Sequence, residues 1–352
     1  MVIKKITYLL SSIFFLASCT QDTSISVLCE KDSKDNYLLK WELFPDLDNI
    51  PVEIYMSDND TIFPSSPLRV VNSGDYIAVI NDTIHNMHRK YFRLKVGGKM
   101  SGVVTNRYFE LDSIQNFRDI GGYYTNDNRQ IRWGKIFRSG NFANMTRKDA
   151  QELNELGVKT VLDMRSQDAR EKYANYMQSS CYIRIPVISN GYNSISKQII
   201  DGHFLRGDAI IYTQDIYKDM VENYSEQFAL MFDYLCNEDN YPVAYHCYLG
   251  KDQSGLASYL LLRALDVSPE TAEDDYMGSN LGIDRSKLIK RVDTLSESMQ
   301  EALTMLTKTD LAYLKYGISW MRTKSGSVDD YMTEELRLTP DKRKKLREIL
   351  LY

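Results

Sequence analysis

A cysteine that directly follows a histidine and opens a glycine-containing loop is the feature of this sequence with the clearest chemistry. The stretch YHCYLGKDQSG runs from Tyr245 to Gly255. Backbone N–H groups of such a loop can curl around an oxyanion, and the dipole of a following helix adds partial positive charge. The same field stabilises a thiolate, so we expect Cys247 to attack phosphate monoesters. The alternatives are a phosphate-binding loop without chemistry and a buried cysteine before a turn.

The segments on either side of this loop alternate between strands and helices. Such alternation predicts a mostly parallel sheet, and ligands bind these sheets at the carboxyl ends of the strands. Cys247 follows the apolar run PVAYHC and therefore lies at such an end. We predict strands over 135–142, 158–166, 182–188 and 242–247, helices over 146–157, 215–236 and 255–267, further helices towards Tyr352, and a surface loop over 201–212.

The segment 24–109 has a different pattern, with short runs of period two. These runs are rich in β-branched and aromatic residues and are separated by Asn, Asp, Gly, Ser and Pro, which predicts an all-β sandwich of immunoglobulin or fibronectin type III size. We interpret this domain as a spacer or adaptor, with a purely structural cap as the alternative. The predicted strands are YLLKWEL at 37–43, VEIYMS at 52–57, DYIAVI at 75–80, YFRLKV at 91–96 and SGVVTN at 101–106.

The N-terminus is typical of an exported protein. Lys4 and Lys5 precede an apolar run over 6–17 that is too short for a comfortable membrane span, which indicates a secretory signal peptide. The motif LASC, which ends at Cys19, resembles the lipobox of bacterial lipoproteins. This resemblance implies a signal peptide of residues 1–18, lipidation of Cys19, and a lipid anchor on the periplasmic or cell-surface side of a bacterial membrane. A plain signal peptide that happens to contain a cysteine is the alternative.

Composition limits the possible partners. The chain has 352 residues, a net charge of -5 and 43% hydrophobic residues, which is ample for a packed core and gives no indication of nucleic-acid binding. We predict no metal and no organic cofactor. Cys29, Cys181 and Cys236 match no metal-binding or disulfide-knot spacing, so we interpret them as unrelated buried thiols and leave a 181–236 bridge open.

The motif HCYLGKDQSG resembles the signature loop of cysteine-dependent protein tyrosine phosphatases, most closely the bacterial tyrosine/dual-specificity branch whose loop reads HCxxGKDRTG. The resemblance covers 110–352 and implies an α/β cysteine-phosphatase fold, with a central mostly parallel sheet flanked by helices. It also implies a phosphorylated protein or phosphoinositide as substrate. Five further motifs resemble that branch in the same order, namely NFRDIGGY (116–123), GKIFRSGNF (134–142), LGVKTVLDMRS (156–166), DDYMGSN (274–280) and DDYMTEELRLTPDKRKKLREILL (329–351).

The resemblance assigns roles residue by residue. It implies that Cys247 is the nucleophile, Asp252 the general acid and Ser254 the hydroxyl that assists the sulfur. Arg118 and Asp119 match a pair at the rim of the site, with Asp119 as the second candidate acid. Lys251 matches a lysine associated with phosphoinositide substrates. The residues implied in phosphate binding are His246, Tyr248, Leu249, Gly250, Lys251, Gln253 and Gly255, together with Arg118 and Asp119.

Gln253 departs from the pattern, because the family has Arg at this position. A guanidinium donates two parallel hydrogen bonds to phosphate and carries a charge, whereas Gln keeps one donor group and loses the charge. Loss of one preorganised donor typically costs about a hundred- to a thousandfold in rate. The sequence therefore leaves open a slowed phosphatase, a pseudophosphatase that binds without turnover, and an interaction scaffold. Lys251, or the arginines at 118, 138 and 165, could compensate.

Overall fold

The computed structural model describes residues 23–81, 89–166, 181–187, 198, 199, 201–288 and 294–352. The predicted signal peptide and Cys19 lie outside these ranges. Among the helices that the structure describes, none has both the length and the apolar character needed to cross a bilayer.

Two antiparallel sheets form the N-terminal part of the structure and share one apolar core, and we call this part the β-sandwich. In β2 the side chains of Tyr37, Leu39 and Trp41 point into this core, as the period of two predicts. The predicted strand over 101–106 is wrong, since only an isolated bridge at Val104 forms there. The strands are β1 Ser24–Lys31, β2 Tyr37–Phe44, β3 Pro51–Ser57, β4 Arg69–Asn72, β5 Ile77–Ile80, β6 Tyr91–Val96 and β7 Lys99–Met100.

A five-stranded sheet forms the centre of the remaining structure, in the order β11-β10-β12-β9-β8. Strands β9 to β12 are mutually parallel, and β8 pairs antiparallel with β9. The mixed α/β class predicted from the sequence is therefore confirmed. The strands are β8 Arg118–Asp119, β9 Ile136–Ser139, β10 Thr160–Asp163, β11 Cys181–Arg184 and β12 Val243–His246.

Helices surround this sheet. Helix α1 begins after Thr146, whose hydroxyl accepts a hydrogen bond from the Asp149 N–H while the Asp149 carboxylate accepts one from the Thr146 N–H. The helices are α1 Arg147–Glu155, α2 Arg206–Asn223, α3 Ser225–Leu235, α4 Gln253–Ala264, α5 Pro269–Met277, α6 Ser279–Gly282, α7 Arg285–Leu288, α8 Glu297–Thr307, α9 Leu311–Ser325, α10 Val328–Glu334 and α11 Pro340–Leu350.

Helix α2 corrects two predictions. Its first two turns occupy the second half of 201–212, where the sequence predicts a surface loop. The Asp208 carboxylate accepts a hydrogen bond from the Leu205 N–H and so satisfies a donor that would otherwise be exposed at the start of the helix. The single helix predicted over 215–236 is divided at Tyr224 into α2 and α3.

Strand β12 is covered on both faces. Val243 and Tyr245 belong to the core cluster that includes most of α4, whereas Ala244 belongs to a second cluster with residues of α1 and β10. A parallel strand that is buried on both faces needs apolar side chains at successive positions, which explains the apolar run before the cysteine. The loop after β12 therefore begins from a fixed strand.

The four cysteines that the structure describes are free thiols, so the bridge left open between Cys181 and Cys236 is not formed. Cys29 and Cys247 are buried, but Cys181 is exposed and Cys236 is only partly buried, so the expectation of buried thiols is wrong for Cys181 and holds only in part for Cys236.

A buried arginine joins the β-sandwich to the central sheet. The Arg89 guanidinium donates to the Asp119 carboxylate at 2.5 Å and to the hydroxyl of Thr105 at 3.0 Å. It also lies over the ring of Trp133, 5.4 Å from the centroid. Because both charged side chains are almost completely inaccessible to water, each depends on the other for compensation.

We therefore expect Arg89→Ala to lower the free energy of unfolding by about 3–5 kcal/mol, because it leaves the Asp119 carboxylate buried without its cation. The measurement is urea-induced unfolding followed by tryptophan fluorescence. The control is Lys40→Ala, which removes an exposed ion pair with Glu30 and is expected to cost at most about 1 kcal/mol. Equal losses in the two variants would contradict the role of Arg89.

Candidate active site

The loop between β12 and α4 places the candidate nucleophile at the N-terminus of a buried helix. Cys247 is the first residue after β12 and is buried. Its Sγ lies 3.3 Å from the Oγ of Ser254, which stands in the first turn of α4. A hydroxyl in this position can donate a hydrogen bond to the sulfur, and the helix N-terminus supplies partial positive charge.

The carbonyl groups of the loop are held by buried donors. The side-chain amide of Asn116 donates to the carbonyl oxygens of Leu249 at 3.0 Å and Gly250 at 2.8 Å. The Arg138 guanidinium also donates to the Gly250 carbonyl, at 2.8 Å. These bonds fix the carbonyl side of the loop, an arrangement compatible with amide groups facing an anion on the other side.

Gly250 is required by the path of the loop. Its φ of +70° lies in the left-handed region, and a Cβ there would stand 2.5 Å from the carbonyl carbon of Ser139. A larger residue would therefore be strained and would push the loop away from β9.

Two buried arginines share one carboxylate beside the loop. Arg138 donates to Asp275 at 2.7 Å, and Arg118 donates to the same carboxylate at 3.4 Å and to the Asp275 carbonyl at 2.9 Å. Arg118 also donates to the side-chain oxygen of Asn116. Burial alone would raise the pKa of Asp275, but the charges of the two arginines outweigh it and lower that pKa to about 2. The Asp275 carboxylate therefore stays ionised at physiological pH.

A second buried ion pair lies at the carboxyl end of β10. Arg165 donates to both oxygens of Asp163, at 2.8 and 2.7 Å. His246 has its Nε2 3.7 Å from Asp163 and stacks on Phe142 with 4.5 Å between ring centroids. Burial lowers the pKa of His246 to about 4, in spite of the neighbouring carboxylate. The imidazole is therefore neutral at neutral pH and lies directly before the loop.

The arginines named as possible substitutes for the missing charge at Gln253 are committed elsewhere. Arg118 and Arg138 pair with Asp275, and Arg165 pairs with Asp163. All three are buried, so an arginine that turned to supply the charge missing at Gln253 would have to break a buried ion pair. The structure therefore favours a structural role for these three arginines.

Lys251 lies beside the loop but turns towards an acid. Its side chain is about 1% exposed, and its Nζ donates to Asp252 Oδ1 at 2.8 Å. The ammonium group also lies 6.0 Å from the centroid of the Tyr313 ring. Gln253 is the first residue of α4 and is 6% exposed. The cation nearest to the loop is thus paired with the candidate general acid.

Most of the residues assigned by the sequence lie together in this loop, but Asp119 does not. Arg118 reaches the loop through Asn116, whereas the Asp119 carboxylate accepts hydrogen bonds from Arg89 and from the N–H groups of Gly121 and Gly134, both at 2.7 Å. Arg118 and Asp119 are fully buried, not at a rim. Asp119 is therefore a junction residue and is not retained as a candidate acid.

Three contributing residues were not singled out from the sequence. Asn116 and Asp275 stand within motifs that resemble the phosphatase branch, so a signal existed for both. Tyr217 donates a hydrogen bond to Asp252 at 3.2 Å but had no signal, since it reads as one apolar position in a helix. In the part of the chain that the structure describes, no three His, Cys, Asp or Glu side chains are grouped to hold a metal ion.

The buried neutral His246 gives a pH prediction. Its pKa of about 4 lies below the ordinary 6.5, so the folded state binds fewer protons than the unfolded state between these values. Stability is therefore fully present above about pH 6.5, and we expect it to fall by about 3 kcal/mol as the pH drops to about 4. Urea unfolding at several pH values measures this.

His246→Gln is expected to flatten the stability profile between pH 6.5 and 4.5, whatever its effect at pH 7. The exposed His203 is the matched control, and His203→Gln should keep the wild-type slope. An unchanged slope in His246→Gln would show that other groups cause the pH dependence.

Comparison with known proteins indicates a phosphatase. A sequence model described as "Tyrosine phosphatase family" matches residues 109–352. A protein of Cupriavidus necator named "Putative tyrosine-protein phosphatase" is 28% identical over 232 residues, 64% of this chain and 83% of its own length. The "Triple specificity protein phosphatase PtpB" of Mycobacterium tuberculosis is 25% identical over 198 residues, 49% of this chain and 68% of its own length.

Likeness to solved structures is weaker. The core catalytic domain of the PP-IP phosphatase SIW14 from S. cerevisiae shares 14% identity at a TM-score of 0.32, covering 55% of this chain and 94% of that chain. This value is too low to bear on fold or function, so the assignment depends on the sequence model, which spans more than half of the chain. The chain therefore belongs to the tyrosine phosphatase family, and its enzyme class is phosphoric monoester hydrolase.

Proposed function

We propose that this chain is a protein tyrosine/dual-specificity phosphatase that acts through a cysteinyl-phosphate intermediate. The observation that carries the proposal is the position of Cys247, buried at the N-terminus of α4 with its sulfur 3.3 Å from the Ser254 hydroxyl. A scaffold would not need a thiol, a leaving-group hydroxyl and a carboxylate in one loop. Phosphotyrosine is the proposed substrate, with phosphoserine, phosphothreonine or a phosphoinositide as related possibilities, because a relative is named for triple specificity.

The proposed reaction has two steps. In the first, the Cys247 thiolate attacks phosphorus, an S–P bond forms, the ester P–O bond breaks, and Asp252 gives its proton to the leaving oxygen. In the second, water attacks phosphorus and gives a proton to Asp252, the S–P bond breaks, and inorganic phosphate leaves. A hydrogen bond from Ser254 stabilises the sulfur as it departs. Asp252 loses its proton in the first step and regains it in the second, and the Cys247 thiolate that is consumed in the first step is released in the second.

A pseudophosphatase is the second candidate, and the substitution at Gln253 favours it. The arginines near the loop are held in buried ion pairs, and Lys251 is paired with Asp252. The phosphate would then be held by loop amides and the neutral side chain of Gln253, which suffices for binding but stabilises the transition state less. This protein would bind phosphorylated ligands without turnover.

Hydrolysis of an aryl phosphate by three proteins separates the two candidates. We expect measurable turnover by the wild type, none by Cys247→Ser, and an increase of about a hundred- to a thousandfold in Gln253→Arg, because the guanidinium restores charge and two donors. A wild type indistinguishable from Cys247→Ser, together with activity in Gln253→Arg, would leave the pseudophosphatase as the function.

Export and lipid anchoring are part of the proposal. The LASC motif supports cleavage before Cys19 and acylation of that residue, and several acyl chains on one residue anchor stably. The β-sandwich would then follow the anchor directly, since β1 begins at Ser24. We propose that it is a fibronectin type III-like spacer that carries the phosphatase domain near a membrane.

Cys19→Ala tests the anchor. We expect this variant to leave the membrane fraction, because the acylated residue is missing, and the measurement is fractionation of expressing cells followed by immunoblotting. Cys181→Ser is the matched control, since it removes an exposed thiol and should stay with the membrane. Equal membrane fractions for Cys19→Ala and the wild type would refute lipid anchoring.

A further inference from the structure

We propose that Tyr217 and Tyr276 form a hydrogen-bond relay that positions the Asp252 carboxylate for proton transfer. This inference rests on the proposed function, in which Asp252 serves the leaving oxygen. The two tyrosines belong to α2 and α5, elements that are far from the loop in sequence. They would be positioning residues, since they act on the acid and not on the substrate.

The geometry of the relay is continuous. The Tyr217 hydroxyl lies 3.2 Å from Asp252 Oδ1 and 2.7 Å from the Tyr276 hydroxyl. Both side chains are fully buried, and their rings meet edge to face with centroids 6.3 Å apart. Two packed rings thus hold two hydroxyl groups in a hydrogen-bonded chain that ends at the carboxylate.

The direction of the hydrogen bonds follows from the chemistry of the groups. Asp252 Oδ1 can accept in both protonation states that the reaction needs, because an ionised carboxylate only accepts and a protonated one can carry its proton on Oδ2. Tyr217 therefore donates its single proton to Oδ1 and must accept from Tyr276. The carbonyl of Asp310 is a second acceptor for Tyr276, but at 3.4 Å it is more distant than the Tyr217 oxygen. Hydrogen bonds in a chain polarise one another, so the Tyr276 hydroxyl strengthens the bond from Tyr217 to Asp252.

The tyrosines remain proton donors throughout the working pH range. Burial raises the pKa of Tyr217 and of Tyr276 well above the ordinary value for tyrosine. Neither hydroxyl ionises near neutral pH, so the relay does not depend on a charge that titrates. The groups that face Asp252 from the surrounding elements are Lys251 of the loop, Tyr212 and Tyr217 of α2, Tyr276 of α5, and Tyr313 of α9.

Tyr217 and Lys251 hold the same oxygen of Asp252. The Lys251 ammonium donates to Oδ1 at 2.8 Å from within the loop, and Tyr217 donates to it at 3.2 Å from α2. Two donors of different origin define the orientation of the carboxylate better than one flexible lysine can. Tyr217 therefore ties the acid to α2, so that the acid does not depend on the loop alone.

The test compares substrates that differ in their need for an acid. Phenyl phosphate releases a basic phenolate that needs a proton, whereas 2,4-dinitrophenyl phosphate releases a stabilised phenolate that does not. We expect Tyr217→Phe to lower kcat for phenyl phosphate by about tenfold or more and to leave kcat for the dinitrophenyl ester within about twofold. Tyr276→Phe should show the same pattern with a smaller loss. If the wild type turns over too slowly to measure, the same substitutions are made and compared in the Gln253→Arg variant.

Tyr331→Phe is the matched control, since this buried tyrosine also loses a hydroxyl bonded to α2, at the Val221 carbonyl, 3.0 Å away. It should slow both esters equally or not at all. Equal losses for the two esters in Tyr217→Phe would overturn the relay and leave a structural role.

A crystal structure of Tyr217→Phe gives a reading that needs no turnover. The proposal predicts that the Asp252 carboxylate leaves its wild-type position, and an unmoved carboxylate would overturn it even if the chain proves inactive. Absence of hydrolysis in both the wild type and Gln253→Arg would instead refute the proposed function.

Discussion

The carboxylate of Asp275 pairs with two buried guanidinium groups, and this cluster holds the loop between β12 and α4. Arg138 and Arg118 are fully buried and could not remain charged there without an anion. Through this pairing β8, β9 and α5 are joined, and Arg138 is left in position to hold the Gly250 carbonyl. The loop is thus held by an ion cluster that lies behind it.

The same cluster bears on the charge that Gln253 lacks. Arg138 and Arg165 each make a close buried ion pair, and Arg118 is held by Asp275 and Asn116, so turning any of them to a phosphate would break buried hydrogen bonds. The remaining nearby cation, Lys251, is directed at Asp252. The proposed site therefore combines a thiol in contact with a hydroxyl, Cys247 and Ser254, with a loop that lacks the charge of the arginine in the motif it resembles.

The parts of the fold that local sequence determines could be predicted. Alternation of apolar runs indicates the parallel sheet, and the position of Cys247 at a strand end follows from it. The partners of the site could not be predicted, because they come from distant segments: Asp275 is 157 residues from Arg118, and Arg89 comes from the β-sandwich. The start of α2 was missed because the residue before the helix is Leu205, which has no capping side chain, and the Leu205 N–H is bonded instead by Asp208 of the first turn.

The β-sandwich is joined to the rest of the fold by the buried ion pair between Arg89 and Asp119, so the proposed role as a spacer does not make it dispensable.

The central claim concerns Cys247, and rapid-quench mass spectrometry of the wild type with an aryl phosphate tests it most directly. The account predicts a phosphoryl group on the peptide that contains Cys247, and none in Cys247→Ser. Binding of the ester without any phosphorylated Cys247, in the wild type and in Gln253→Arg, would contradict the account.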